Sequence, residues 1–180
     1  MATSGTRPQL TVRPPREADA PTLREIFNEA VEDGQVTFAS APRSLEEQLQ
    51  MIAEALKDAR HPILVAEVLN WTCGLATIEP HDPRHSLDDI AEVQLFVRRS
   101  FRSYGVGRQL MRAVQAEAAR LGYRKLIGKV LSESQDTLRL CQGTGWRIVG
   151  QYEQHARHND RLRDVTVVEL HLPPTQTVQE

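Results

Sequence analysis

The stretch Arg102-Ser-Tyr-Gly105-Val-Gly107-Arg108 constrains this chain more than any other, because it separates two segments of different periodicity. Upstream, Ile90 to Val97 alternates as a strand does: Ala91, Val93, Leu95 and Val97 make one apolar face, and Glu92, Gln94 and Phe96 share the other. Downstream, Leu110, Met111, Val114, Ala118 and Leu121 recur at helical spacing and Gly122 follows as a stop, so a helix is expected over 107–121. The free N–H groups of that helix start then face the turn, where Gly105 and Gly107 remove side chains and let another group approach the backbone. Such a start is an anion site; a pyrophosphate is its natural occupant, with Arg102 and Arg108 adding charge. A lone Gly-x-Gly is equally the mark of a plain turn capping a helix, and the residues alone leave that open. Two other glycine motifs are excluded. No Lys-Ser/Thr follows as in a P-loop, and the third glycine of the dinucleotide fingerprint would fall on Leu110.

The rest of the chain alternates between the two periods. Residues 10–13 suit a short strand. Leu23, Ile26, Phe27 and Ala30 then recur as on a helix, with Pro21 in its first turn. Ser44 and Glu47 form a capping box for a second helix carrying Leu45, Leu49, Ile52 and Leu56, broken by His61-Pro62. Residues 63–69 and 72–78 read as strands joined at Asn70-Trp71, residues 79–89 as a loop, and 125–131 as a strand. A short helix is expected over 136–142, and two closing strands over 146–152 and 164–172. The expected fold is α/β, a mixed central sheet of about six or seven strands flanked by about four helices. One domain over 10–172 is expected, with flexible ends at 1–9 and 173–180.

Composition removes several classes. Twenty-two basic and 24 acidic residues give a net charge of −2, which argues against a nucleic-acid partner. No apolar run is long enough to cross a membrane, and the polar start lacks a signal-peptide core, so a cytoplasmic protein is expected. Cys73 and Cys141 have no metal-ligand spacing, and His61, His81 and His85 read as loop, so no metal is expected.

Arg102-x-x-Gly105-x-Gly107, after a strand and before a helix ending in Leu-Gly, resembles the coenzyme A motif of the Gcn5-related N-acetyltransferase (GNAT) superfamily. Gly145-Trp146 is similar to the Gly-aromatic pair after that family's next helix. The likeness extends to the phosphinothricin N-acetyltransferase-like branch. It runs through Ile26-Phe-Asn28, Val36-Thr-Phe38 with Pro42, Ala91-Glu92-Val-Gln-Leu-Phe96-Val97, and the segment 157–165. It implies the GNAT fold and acetyl-CoA as cofactor, its pyrophosphate on the amides of Tyr104, Gly105, Val106, Gly107, Arg108 and Gln109. It also implies that the backbone of Phe96, Val97 and Arg98 contacts the pantetheine and polarises the thioester carbonyl. Ser134 aligns with an Asn that many relatives use to anchor the cofactor, and Cys141 stands where many carry a Tyr acid.

The resemblance places Glu92 at the general-base position, where it would take a proton from a substrate ammonium; by itself it is equally a solvated acid on an exposed sheet face. Phe38, Gln94, His155, His158 and Asn159 are the substrate-site candidates. The basic cluster His155, Arg157, His158, Arg161 and Arg163 suits a carboxylate but also a solvated loop. The expected activity is direct transfer of acetyl, within a ternary complex, to the primary amine of a small molecule such as an amino acid or its analogue. The alternatives are a protein N-terminal or lysine acetyltransferase, an aminoglycoside or polyamine acetyltransferase favoured by Asp82, Asp88 and Asp89, and a non-catalytic acyl-CoA-binding module. The expected assembly is a homodimer.

Overall fold

The computed structural model describes residues 10–34, 39, 41–158 and 160–173. The expectations for 1–9, for 174–180, and for Phe38 and Asn159 lie outside the described residues. In chain order the elements are β1 (Leu10–Arg13), α1 (Ala20–Asp33), α2 (Leu45–Lys57), β2 (Ile63–Val68), β3 (Trp71–Pro80), β4 (Ile90–Val97), α3 (Val106–Arg120), β5 (Lys125–Leu131), α4 (Gln135–Gln142), β6 (Arg147–His158) and β7 (Arg161–His171). The strands make one seven-stranded sheet in the order β1-β2-β3-β4-β5-β7-β6. Every pairing is antiparallel except β4 with β5. This is the mixed α/β architecture expected.

Two cores cover the two faces. On one, Leu23, Ile26 and Phe27 of α1 and Ile52 of α2 pack on Leu75 and Phe96. On the other, Leu110 and Val114 of α3 and Leu138 of α4 pack on Ile78, Ala91 and Leu126. The alternation along β4 is the cause, since Ala91 and Val93 go to the second face and Phe96 to the first. Helix α3 comes close to the sheet because Gly74 carries no side chain; a Cβ there would lie 2.9 Å from both Leu110 Cδ1 and the Phe96 carbonyl.

Several boundaries differ from expectation. Strand β3 runs on through Glu79 to Pro80, because Glu79 and Pro80 pair with Glu92 and Ala91 of β4. Helix α2 has the predicted capping box, yet it buries only Gln48 and Ile52, and Leu45 and Leu56 are exposed. The closing strands are longer than their apolar cores, and 156–158 pair with 161–163 of β7 rather than lying in a loop, with Ala156 opposite Arg163. Backbone pairing there needs no apolar side chains, which is why the sequence pattern does not reveal it.

At the foot of the sheet Glu169 is 5% exposed. It accepts from Lys125 Nζ at 2.9 Å and from His171 Nε2 at 3.0 Å, and Arg147 is its third partner. The Lys125 hydrogen bond, opposed by burial but joined by His171 and Arg147, brings the carboxyl down to about 2 from 4.5. The depressed value means the carboxylate stabilises the fold above pH 4.5 and loses that contribution as the pH falls through about 2. Glu169→Gln should therefore cost about 2 kcal/mol at pH 7 in denaturant melts, and its deficit against the wild type should vanish in acid.

Candidate active site

Strands β4 and β5 pair only at Ile90–Lys125, Ala91–Leu126 and Glu92–Ile127. Beyond Glu92 they part, although β4 continues to Val97 and β5 to Leu131. A groove of about 680 Å³ occupies the gap, bounded by Glu92 to Val97 on one side and by Gly128 to Val130 and α4 on the other. The Arg98 amide donates to Cys73 of β3 at 2.9 Å. Consecutive amides in a strand point to opposite edges, so the Phe96 amide also faces β3, whereas those of Val97 and Leu95 face the groove. This corrects the expectation for Phe96 and Arg98. Neither turns an N–H to the gap; the Phe96 ring lies edge-on to Phe27 at 5.4 Å, and the Arg98 guanidinium binds Glu25.

The glycine turn closes one end of the groove. Ser103 and Gly105 both have positive φ, 68° and 84°, which turns the chain sharply into α3 with Gly105 as its N-cap. The Gln109 amide is already engaged by the Gly105 carbonyl at 3.2 Å, so the helix start presents Val106, Gly107 and Arg108 as donors and not Gln109. The Val106 side chain is 2% exposed and belongs to the core, while Tyr104 is exposed. Arg102 differs from expectation. Its guanidinium is tied to Asp33 of α1 and to the Val97 carbonyl, so it braces the turn instead of adding a free charge. Arg108 reaches across to the Gly143 carbonyl at 3.3 Å, bridging the starts and ends of α3 and α4. A Cβ on Gly107 would lie 3.1 Å from Leu140 Cδ2 and 3.7 Å from Val97 Cγ2, so a side chain there crowds the cradle. A pyrophosphate-bearing ligand fits these residues: free amides at a helix start, a guanidinium beside them and a long groove leading inward.

Glu92 sits where the strands part. Its Oε2 accepts from Lys129 Nζ at 2.8 Å and lies 3.7 Å from His81 Nδ1. Its cross-strand partner is Glu79, whose two oxygens accept from Thr77 at 2.7 Å and Gln94 at 3.0 Å. Two carboxylates directly opposed repel one another, and the Lys129 ammonium offsets that charge. Gln94, a substrate candidate, thus holds Glu79. Glu79, His81 and Lys129 carry no site signal in the sequence; Glu79 falls in the expected 79–89 loop, and only strand pairing places it beside Glu92.

The remaining candidates are scattered. Ser134 caps α4, is 7% exposed and lines the groove. Cys141 also lines it, but its thiol is 2% exposed and burial pushes it up to about 11. His155 is exposed on β6 and stacks against Tyr152 at 4.6 Å, and Arg163 is paired with Glu133 at the groove rim. His158 lies in β6, where only its backbone is described. Among the described residues no cluster of His, Cys, Asp or Glu suits a metal, and no helix is long and apolar enough to cross a membrane.

A family model described as an acetyltransferase (GNAT) domain matches residues 9–147. An L-methionine sulfoximine/L-methionine sulfone acetyltransferase of Pseudomonas paraeruginosa is 27% identical over 172 residues, covering 93% of this chain and 97% of that protein. A ribosomal-protein-alanine N-acetyltransferase structure from Brucella melitensis is 26% identical, with a TM-score of 0.86 over 90% of this chain and 99% of its own. A phosphinothricin acetyltransferase structure from Sinorhizobium meliloti, in complex with acetyl-CoA, is 21% identical, with a TM-score of 0.85 over 94% of this chain and 95% of its own. The groove, the glycine cradle and these likenesses agree: the chain belongs to the GNAT acetyltransferase family, on its phosphinothricin-acetyltransferase-like branch, and is an acetyl-CoA-dependent N-acetyltransferase.

Proposed function

We propose that the acceptor is the primary amine of a small amino acid or amino-acid analogue, and that Glu92 is the general base. The observation that carries this reading is the position of Glu92, a part-buried carboxylate at the point where β4 and β5 separate. An amine arriving as ammonium has no lone pair until a carboxylate or an intervening water takes its proton. Acetyl-CoA supplies the activated acetyl group. The chain's own part is to hold the pyrophosphate on the amides of Val106, Gly107 and Arg108, and to turn the Val97 and Leu95 amides to the groove. Donors so aimed stabilise developing negative charge on a carbonyl oxygen. Transfer is direct. A thiol in the apolar core, with its pKa raised to about 11, is a poor nucleophile, which leaves Cys141 a packing residue.

The names of the relatives support the acceptor class, since methionine sulfoximine, methionine sulfone and phosphinothricin are amino-acid analogues. The polycation alternative loses its motivation. Asp82 is paired with Arg84 and Asp89 with Arg124, so two of the three loop acids already have a permanent cation beside them. A peptide α-amine is the second reading, favoured by the likeness to the ribosomal-protein-alanine enzyme.

The deciding experiment is coenzyme A thiol release with methionine sulfone, phosphinothricin, an alanyl peptide, spermidine and an aminoglycoside. The amino-acid analogues should give the highest kcat/KM; a tenfold advantage for the peptide or a polycation overturns the acceptor assignment. Glu92→Gln should lower kcat/KM about 100-fold while acetyl-CoA affinity stays within about twofold, and an unchanged rate from pH 6 to 9 would remove Glu92 from the chemistry. Gly107→Val should weaken acetyl-CoA at least tenfold by calorimetry, about 1.4 kcal/mol, with the fold intact by circular dichroism.

A further inference from the structure

One cation on the acceptor side of the sheet has no carboxylate of its own. Arg43 lies between α1 and α2, and its backbone is held by Asn28, which accepts from the Arg43 amide at 2.7 Å and donates to its carbonyl at 3.1 Å. The guanidinium packs over the Phe27 ring at 3.7 Å and donates to Gln48 Oε1 at 2.9 Å. Gln48 is fully buried, and its Nε2 has no hydrogen-bond partner among the described residues. Of the other guanidiniums of intermediate exposure, Arg13 is neutralised by Asp19 and Glu67, Arg98 by Glu25, Arg102 by Asp33 and Arg163 by Glu133, whereas Arg24 of α1 also lacks an ion pair among the described residues but does not stack on an aromatic ring there. Among the described residues Arg43 forms no ion pair. Burial pushes its guanidinium down, and Glu79 and Glu47 offset this only from a distance.

A part-buried, immobilised cation without a counter-ion is costly to the fold, and such a cost persists where a ligand supplies the missing charge. Glu79 is the link to the chemistry. It is the cross-strand partner of Glu92 and its charge favours the Arg43 cation, while the Phe27 ring under Arg43 meets Phe96, a groove-lining residue of β4, edge-on at 5.4 Å. The acceptor face therefore carries carboxylates at one place and an uncompensated, planar, two-pronged cation at another, the pattern that suits a zwitterion.

We propose that Arg43 is the specificity-determining residue for the acceptor, taking its carboxylate while Glu92 faces its ammonium. This rests on the amino-acid reading above and moves carboxylate recognition away from the His155–Arg163 hairpin, where Arg163 is already paired with Glu133. With Nη1 on Gln48, the Nε and Nη2 edge of the guanidinium is the pair of donors for a carboxylate, and a lysine cannot reproduce that fork. Phe27 and Gln48 are the platform and the side support that set its direction.

The test compares methionine sulfone with its carboxamide, in which the carboxylate is replaced by a neutral group, using thiol release at saturating acetyl-CoA. The wild type should prefer the acid by at least thirtyfold in kcat/KM. Arg43→Met should cut that ratio at least tenfold, mainly through KM for the acid, and Arg43→Lys should fall between. Gln48→Glu keeps the packing and places an internal carboxylate beside Arg43; it should reduce the same ratio even if Arg43→Met unfolds. A ratio unchanged within twofold in a folded Gln48→Glu or Arg43→Met overturns the role of Arg43 and leaves the amino-acid reading standing, as does a wild type that prefers the carboxamide. A wild type that binds acetyl-CoA but acetylates neither compound overturns the acceptor reading and this inference together.

Discussion

The separation of β4 from β5 is the constraint on which the rest of the molecule depends. Parallel pairing would normally continue along both strands, and here it stops after Glu92 and Ile127. The unpaired amides of β4 beyond that point would be a penalty in a closed core. In a groove they become donors aimed at a ligand. The same parting opens the space between α3 and α4, exposes the Gly105–Gly107 cradle at its end, and leaves Glu92 at its apex.

Ion pairs hold that opening in shape. Arg102 ties the end of the glycine turn to Asp33 at the last turn of α1, and Arg99 joins the same carboxylate. Arg98 ties the end of β4 to Glu25 and Glu29, one face of the same helix. Arg108 at the cradle and Arg43 between α1 and α2 form no ion pair among the described residues. The bracing cations are paired with carboxylates, whereas Arg108 and Arg43 are held by neutral partners or by stacking. The two classes are distinguishable only by their partners, because the residue type is the same.

Local signals were read correctly where a short stretch carries its own physics. The Ser44–Glu47 capping box, the helix after Gly105 and the alternation of β4 all appear as read. Elements whose extent depends on a neighbour were not legible. Glu79 belongs to β3 because β4 lies alongside it, and residues 155–158 belong to β6 because β7 does. The apolar stripe of α2 was read over four leucines and isoleucines, but only its middle meets α1 and the sheet, so Leu45 and Leu56 face solvent.

The sequence by itself determined the family, the glycine turn and the acid on β4, because each is written in contiguous residues whose backbone requirements are local: a glycine at positive φ, a helix start, a two-residue alternation. Only the tertiary structure decided what each charge does. Arg102 reads as an added charge for a phosphate and is tied to Asp33; the histidines and arginines from His155 to Arg163 suit either a carboxylate or a solvated loop, and in the fold Arg163 is paired with Glu133. Arg43 carries no signal at all in the sequence. Its surroundings, Phe27, Gln48 and Glu79, come from three other elements. Electrostatic roles depend on distance and burial, and both are products of the fold rather than of neighbouring letters.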